Sequence, residues 1–361
     1  MDKKYTIIIK TSDAEIRAVE NTSKAQLLQI FPVIEITRGR KITKNKVETY
    51  PFDKRLSKMK KIFENQVVSF DLTSEDSLSS DEINYLYNPQ NGYKNWVDFL
   101  IQIKEEGVFE EIIPTLILNL DDDNFEENLL LQVKNIKKHF KSILYRNSIA
   151  DENCYDDFEL IKDELVGVNL YVLVDCGYTP QASYRNVALK SVARITNLQS
   201  ILDENVNYII CSTSFPNNVR DLGDVDSDTF SISEIDIYDI VKQECNNVIY
   251  GDYASINPIR NDTVVMARGW IPRIDTPLET SIFYYKQRRP RGVSAYASTY
   301  IQVAQLTVQD PRFPMSIENN WGIEQIKACA KGGAPSSSPS FWISVRMNIY
   351  IAQQLKRIYG Y

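Results

Sequence analysis

Short apolar runs alternate with amphipathic segments along residues 1–257 of the chain. Each run has five to eight residues and is rich in Ile, Val, Leu and Tyr, as expected for strands buried on both faces. The segments between them place apolar residues at every third or fourth position, which predicts helices. The eight predicted strands are 5–10, 31–37, 67–72, 113–120, 142–146, 170–175, 208–212 and 248–252.

Eight such units in about 257 residues have the size of a (β/α)8 barrel. A doubly wound open sheet is the alternative, but no G-x-G-x-x-G turn follows any of the runs to support dinucleotide binding. The alternation of apolar runs and amphipathic segments ends after residue 257. We therefore predict an α/β fold with a (β/α)8 TIM-like barrel in residues 1–257 and a basic α+β C-terminal extension, residues 258–361, packed on the barrel.

Charge divides along the same boundary. The chain has 361 residues and a formal net charge of −7. Residues 258–361 contain 13 Lys and Arg against 6 Asp and Glu, whereas residues 1–257 contain 28 against 42. An acidic body with a basic extension can dock through this complementarity.

Two rare residue types limit the chemistry. The single histidine, His139, lies between lysines in a helical segment, so a Ser-His-Asp triad or a multi-histidine metal site is not expected. The five cysteines are isolated and show no C-x-x-C spacing, which indicates reduced thiols. They are Cys154, Cys176, Cys211, Cys245 and Cys329.

No apolar stretch approaches the roughly 20 residues of a membrane span, and the N-terminal apolar run is too short for a signal peptide. These features predict a cytoplasmic protein that does not interact with membranes.

Polar residues stand at the C-terminal ends of the predicted strands, where barrels place their functional side chains. Most share strand parity with small or apolar residues, as Ile8 does with Lys10 and Tyr250 with Asp252, so we expect them to converge inside the barrel mouth. The expected ring consists of Lys10, Glu35, Asp71, Asn119, Arg146, Asp175 and Asp252.

This ring has two interpretations. In the first it forms a pocket, where Glu35, Asp71, Asp175 and Asp252 provide acid–base chemistry or hold a divalent cation, while Lys10 and Arg146 bind a small anionic ligand such as phosphate. In the second it is an ion-pair layer that fills the barrel top. No nucleophile stands out, so catalysis stays open.

Two further segments could contribute to binding. Tyr253 ends the run Tyr-Gly-Asp-Tyr at 250–253 and can stack on a ligand or donate a hydrogen bond to it. Arg288 belongs to an arginine-rich turn that also contains Arg289 and Arg291. We favour docking of this turn on the acidic body over contact with nucleic acid or a partner protein.

Four stretches together resemble the beta protein family of phages, satellite phages and bacterial mobile elements: 5–10, 31–36, 250–253 with Pro258 behind it, and 342–350. The resemblance implies recurring polar positions at Lys10, Glu35, Asp252, Arg346 and Asn348. Where the family tends to carry a histidine, this chain has Tyr350.

The resemblance also implies a cytosolic protein encoded with antiviral defence or toxin–antitoxin modules, which would control a toxic partner protein. It implies no reaction. We therefore expect a sensor or regulator that binds an anionic ligand at the barrel mouth. The alternative is a barrel enzyme of the phosphoester or nucleotide hydrolase type that uses the Asp/Glu/Arg ring.

Overall fold

The computed structural model describes residues 3–202, 206–259, 269–317 and 319–360. In this part of the chain the strands are β1 (Tyr5–Lys10), β2 (Ile30–Ile36), β3 (Ile42–Lys44), β4 (Val47–Thr49), β5 (Val67–Leu72), β6 (Glu111–Pro114), β7 (Ser142–Ser148), β8 (Asn169–Tyr178), β9 (Asn207–Thr213), β10 (Ser227–Ser231), β11 (Val248–Asp252), β12 (Arg273–Pro277) and β13 (Ser281–Lys286).

The α-helices in the described ranges are α1 (Asp13–Glu20), α2 (Lys24–Leu27), α3 (Asp53–Ile62), α4 (Asp81–Leu86), α5 (Gln90–Glu105), α6 (Phe125–Ile136), α7 (Cys154–Ile161), α8 (Tyr184–Gln199), α9 (Ser233–Glu244), α10 (Ala297–Gln309), α11 (Trp321–Ala330) and α12 (Pro339–Tyr359).

Eight parallel strands form one sheet, in the order β6-β5-β2-β1-β11-β9-β8-β7. A single parallel bridge from Thr115 to Leu144 joins its two outermost strands, and the Leu116 amide donates to the Leu144 carbonyl at 2.9 Å. The sheet is therefore a nearly closed, barrel-like sheet surrounded by helices. These strands are the eight that the hydrophobic pattern predicts, and the mixed α/β class is confirmed.

Two apolar layers follow from strand alternation. Residues facing the helices join one large buried cluster, whereas the residues on the opposite face pack against one another inside the sheet. The inner set is Ile8, Phe31, Val33, Ile113, Leu144, Tyr171, Leu173, Ile209, Cys211 and Tyr253. This core supports a polar layer above it at the C-terminal ends of the strands.

The last helix, α12, packs against the shell of the sheet. Asn348 on α12 donates to the backbone carbonyls of Ala18 and Asn21, both at 3.2 Å, at the C-terminal end of α1. On its other side, the Tyr350 hydroxyl donates to Glu234 of α9 at 2.7 Å. The helix thus lies between the first helix of the shell and the helix that precedes β11.

A second, antiparallel sheet has the order β10-β13-β12 and packs with α10, α11 and α12 around a separate apolar cluster. Its strand β10 comes from before residue 257 and its other two strands from after it. This small sheet therefore joins the segment after β9 to the C-terminal part of the chain.

His139 is exposed, and all five cysteines are buried and unpaired. In the described ranges no helix has the length and apolar character needed to cross a membrane.

Candidate functional site at the barrel mouth

Three charged side chains stand in one row across the ends of neighbouring strands. Lys10 of β1 is in register with Glu35 of β2, and Glu35 is in register with Asp71 of β5. Residues in parallel register share the inner face of the sheet, as the buried Val33 and Ile8 below them confirm. The register therefore places two carboxylates and an ammonium group side by side at the mouth.

Arg146 of β7 reaches across the mouth to this row. Its Nη1 donates to Glu35 at 2.9 Å and to Asp71 at 2.6 Å. Its Nε and Nη2 donate to Oδ2 of Asp175 at 3.0 and 2.8 Å, and Nη2 also donates to the Tyr253 hydroxyl at 3.0 Å. The Tyr253 hydroxyl in turn donates to Asp175 at 2.5 Å. One guanidinium thus links side chains from four parts of the barrel.

Lys10 is enclosed in the same way. Its Nζ lies 3.3 Å from Glu35 and 4.0 Å from Glu75, and donates to the Pro258 carbonyl at 2.5 Å. Its backbone amide donates to the buried Glu15 at 2.6 Å. Both cations of the mouth therefore have carboxylate neighbours.

These groups line a cavity of about 420 Å³. Among the residues that the structure describes, its charged lining consists of the carboxylates Glu35, Asp71, Glu75 and Asp175 and the cations Lys10 and Arg146. Thr73, Thr115 and Ser148 add hydroxyl groups to the wall, and Leu116, Ile117 and Leu118 add apolar surface. The cavity has the size of a small-molecule site and an excess of negative charge.

The two in-register carboxylates differ in acidity. Burial opposes ionisation of Glu35, but the charges of Lys10 and Arg146 outweigh it and lower the pKa of Glu35 to about 2. Burial raises the pKa of Asp71 above its usual value; Arg146 opposes this effect and the charge of Glu35 adds to it. The site therefore holds one firmly ionised carboxylate beside one that takes up a proton more readily.

Asp252 does not line this cavity. It is buried on the outer face of β11, where its Oδ1 accepts from the Tyr5 hydroxyl at 3.0 Å and from the Ala254 amide at 2.8 Å. Burial, followed by the charge of Glu234, raises the pKa of Asp252 to about 7. The expectation that Asp252 joins the ring at the mouth is corrected accordingly.

The reason lies in the strand sequence. Gly251, not Tyr250, occupies the inward position of β11. A Cβ built on Gly251 would lie 2.9 Å from the Ile209 side chain and 3.4 Å from that of Cys211, and both of these side chains face the interior. Tyr250 and Asp252 consequently face the helices. Tyr253, which shares parity with Gly251, faces the interior and meets Arg146.

Asn119 is also placed outside the cavity lining. The strand β6 ends at Pro114, and the Thr115 and Leu116 amides still donate to carbonyls of β5 and β7 at 3.0 and 2.9 Å. Residues beyond it line the cavity up to Leu118, and the Asn119 side chain accepts a hydrogen bond from the Asp121 amide at 3.2 Å. Asn119 thus organises a surface turn rather than the mouth.

Arg288 is exposed at the end of β13 and is not part of the cavity lining. The neighbouring Lys286 donates to the Gly223 carbonyl at 2.7 Å and interacts electrostatically with Asp224 and Asp226. The end of β13 thus lies beside an acidic loop of residues before 257, and docking of the arginine turn itself on the acidic body stays a prediction.

Arg346 and Asn348 are buried in α12 and do not line the cavity either. Arg346 donates to Ser255 and Asp275, both at 3.3 Å, and its guanidinium carbon lies 3.5 Å from the centre of the Phe215 ring. Burial lowers the pKa of Arg346 to about 10, against the opposing charge of Asp275. This arginine connects the loops after β9 and β11 to β12.

Two carboxylates of the site escaped the sequence analysis. Glu75 follows β5 in a loop. Glu15 does not line the cavity but accepts from the Lys10 amide, and it lies in the first turn of α1. Burial raises the pKa of Glu15 to about 7, although Lys10 opposes the shift. A charged residue within five positions of a strand end is the signal that would have found both.

The arrangement offers no preformed metal site among the described residues, where no three His, Cys, Asp or Glu side chains are grouped to hold an ion. The carboxylates of the mouth surround the Arg146 guanidinium instead.

Fold and site together define an α/β barrel-like protein with a polar, carboxylate-rich cavity at the C-terminal ends of its parallel strands. The chain belongs to the beta protein family, because the family model described as "Beta protein" matches residues 5–356. It is similar to "Protein beta" of Enterobacteria phage P4, with 25% identity over 367 aligned positions that cover 98% of this chain and 93% of that protein.

Among solved structures, the spore cortex-lytic enzyme SleL of Bacillus megaterium QM B1551 has a TM-score of 0.41 and 11% identity, covering 69% of this chain and 70% of that chain. The spore cortex-lytic enzyme SleL of Bacillus cereus has a TM-score of 0.37 and 9% identity, covering 96% of this chain and 74% of that chain.

Proposed function

We propose that the protein binds a small polar ligand in the barrel-mouth cavity and that this ligand is neutral or positively charged. The observation that carries the proposal is the charge of the described lining, in which four carboxylates face two cations. Lys10 and Arg146 both contact these carboxylates, so an incoming anion would have to compete with them. This balance favours hydroxyl-rich or amine ligands over the anionic ligand expected from the sequence.

Thermal unfolding with a ligand panel tests the proposal. The panel contains polyols and sugars, polyamines, and phosphate and nucleotides. We expect members of the first two groups to raise Tm, since a ligand that binds only the folded state stabilises it. Ser148→Trp, which places a large side chain on the cavity wall, should abolish the shift, whereas Ser200→Trp at an exposed position at the end of α8 should preserve it. A shift produced by phosphate or nucleotides alone would favour the anionic ligand instead.

The same cavity supports a second candidate, an acid–base enzyme. Its specific support is the difference in acidity between Glu35 and Asp71, which lie in register on adjacent strands and bond to the same nitrogen of Arg146. Asp71 would donate a proton to a leaving group, and the ionised Glu35 would stabilise developing positive charge or orient an attacking water. This enzyme would hydrolyse a bond within the bound ligand.

Turnover separates the enzyme from the sensor. If a ligand that raises Tm is converted to product, Asp71→Asn and Glu35→Gln should each lower the rate at least about 100-fold, in line with the usual size of acid–base contributions. A ligand that binds through the cavity and is never converted would favour the regulatory role that the family resemblance implies. In that role the bound ligand would control contact with a toxic partner protein, and a pull-down with and without ligand would detect it.

We also propose the finer architecture predicted from the sequence, a (β/α)8 barrel with residues 258–361 as an extension packed on it. The strand order, the Thr115–Leu144 bridge and the position of α12 between α1 and α9 support this proposal. We also propose, as the sequence predicts, that the protein is cytoplasmic.

A further inference from the structure

Positive charge is concentrated in one short segment of the acidic body. Residues 38–61 contain ten Lys and Arg but only two acidic residues, Glu48 and Asp53, in a chain whose net charge is −7. The net negative charge of residues 1–257 as a whole conceals this basic segment. Its cations are Arg38, Arg40, Lys41, Lys44, Lys46, Lys54, Arg55, Lys58, Lys60 and Lys61.

The first half of the segment is a two-stranded ribbon that projects from the molecule. All residues of β3 and β4 are exposed. The ribbon turns at Asn45 and Lys46, whose φ angles of 52° and 65° are those of a tight type I′ hairpin turn. Lys41 pairs with Glu48 across the ribbon at 2.6 Å, while Lys44 and Lys46 have no ion-pair partner among the described residues. The tip of the ribbon is therefore cationic.

The second half is the helix α3. Lys54, Lys58 and Lys61 are exposed and follow one another at helical spacing, so they form one stripe about 10 Å long on its solvent face. Leu56 and Met59 on the opposite face are buried in the core. The helix is therefore anchored by its apolar face. Its solvent face also exposes Asp53 and Ser57, and Lys58 lies 4.0 Å from Glu20 of α1.

Ribbon and helix form one continuous surface. Arg55 of α3 donates to the Arg38 carbonyl at the base of the ribbon at 2.8 Å. Arg40 and Arg55 both donate to Asp13, at 2.9 and 3.0 Å. We call residues 38–61 the ribbon–helix surface.

We propose that the ribbon–helix surface binds nucleic acid through its phosphate backbone. A two-stranded β-ribbon fits the major groove of duplex DNA. The lysine stripe spans the axial rise of about three nucleotides of one strand, at about 3.4 Å each. Lys and Arg contacts of this kind give binding that is independent of sequence and sensitive to salt.

Other polyanionic partners fit less well. Protein interfaces are depleted in lysine and enriched in aromatic residues, whereas this surface is dominated by lysine. A membrane-binding helix needs an apolar face free to insert, and that face of α3 is already buried.

Fluorescence anisotropy of labelled DNA tests the proposal with the full chain. Duplex and single-stranded oligonucleotides of about 20 nucleotides are titrated at about 50, 100 and 200 mM salt. Lys54→Ala/Lys58→Ala/Lys61→Ala removes the helix stripe, and Lys44→Ala/Lys46→Ala removes the ribbon tip. The matched control Lys138→Ala/Lys141→Ala/Lys190→Ala removes three exposed lysines elsewhere. Arg288→Ala/Arg289→Ala/Arg291→Ala tests the other basic turn. Circular dichroism and Tm verify that each variant is folded.

We expect the wild type and the control to bind alike. The stripe variant should bind at least about tenfold more weakly at 100 mM salt, with a log–log salt slope smaller by about 3. The proposal is overturned if the wild type does not bind at the lowest salt, if the stripe and tip variants bind as the control does, or if only the arginine-turn variant loses binding. Binding to phosphatidylserine vesicles without binding to DNA or RNA would also overturn it, in favour of a membrane surface.

Discussion

At the scale of single residues, Arg146 is the centre of the barrel mouth. Its guanidinium donates to Glu35, Asp71, Asp175 and Tyr253, and a lysine could not make these contacts because it lacks the planar fork of donors. Strand register brings Glu35 and Asp71 together, and the arginine offsets the repulsion between them and links them to Asp175. The geometry of the cavity therefore depends on this one side chain.

Replacing Arg146 with Met should lower the free energy of unfolding by about 3–5 kcal/mol, since it leaves the buried Asp71 without its cation and Glu35 with Lys10 alone. Without this cation the pKa of Glu35 should also rise. Urea denaturation measures the first effect, and NMR titration of Glu35 the second. Lys94→Met, which breaks an exposed ion pair with Asp98, should cost less than about 0.5 kcal/mol. Equal losses in the two variants would contradict the central role of Arg146.

Strand periodicity correctly predicted most of the side chains that face the barrel mouth. The period of two fixes which residues point inward once a strand has been identified. It placed Lys10, Glu35, Asp71, Arg146 and Asp175 around one cavity. It was wrong for Asp252, because a glycine at the inward position left no apolar side chain to mark that face. It could not find Glu75, whose position depends on a loop that has no periodicity.

At the scale of elements, α12 joins distant parts of the chain. Asn348 donates to two carbonyls of α1 and to the Thr22 hydroxyl, and it accepts from the Gly322 amide of α11. Each of these backbone groups is at or near a helix end, where it lacks an intrahelical partner. The asparagine that the family resemblance implies as a recurring position therefore connects three helices.

Asn348→Ala should lower the free energy of unfolding by about 1–3 kcal/mol, because it leaves the buried Gly322 amide without its partner and removes the hydrogen bonds to the end of α1. Hydrogen exchange should become faster at the C-terminal end of α1 and the first turn of α11. Asn186→Ala on the exposed face of α8 should change stability by less than about 0.5 kcal/mol. Unchanged exchange in α1 would show that the hydrogen bonds of Asn348 contribute little.

Element prediction succeeded where the pattern is local. The predicted strands 67–72 and 248–252 coincide with β5 and β11. In the run 113–120, β6 ends at Pro114, Thr115 and Leu116 still bond to β5 and β7, and the chain then continues along the cavity. The position of α12 beside α1 could not be predicted, since it depends on contacts between residues more than 320 positions apart. The hydrophobic pattern of a helix does not identify its partner.

At the scale of the whole molecule, buried acids on the outer face of the sheet link stability to pH. Asp252 is buried, and its raised pKa of about 7 compares with about 3.9 for an unfolded aspartate. Between these values the folded state retains a proton that the unfolded state releases. The contribution of Asp252 to stability is therefore full below about pH 4 and is lost as the pH rises towards 7.

Asp252→Asn removes this titration, so the stability of the variant relative to the wild type should improve by about 3 kcal/mol between pH 5 and pH 8. Urea denaturation of both proteins across this range measures the difference. Asp98→Asn, at an exposed position, should run parallel to the wild type. Parallel curves for Asp252→Asn as well would contradict a protonated Asp252 in the folded state.

The place of α12 in the shell also sets an order of events during synthesis. Tyr250 of β11 meets Tyr350 of α12, and Lys4 beside β1 meets Tyr359 at the end of that helix. The ribosome adds about 5–20 residues per second, so β1 waits for tens of seconds until the helix that packs beside it has emerged. Until α12 emerges, the part of the outer surface of β1 that this helix covers is open to solvent, and the same holds for β11 once it has been made. We expect the nascent chain to depend on chaperones at this stage.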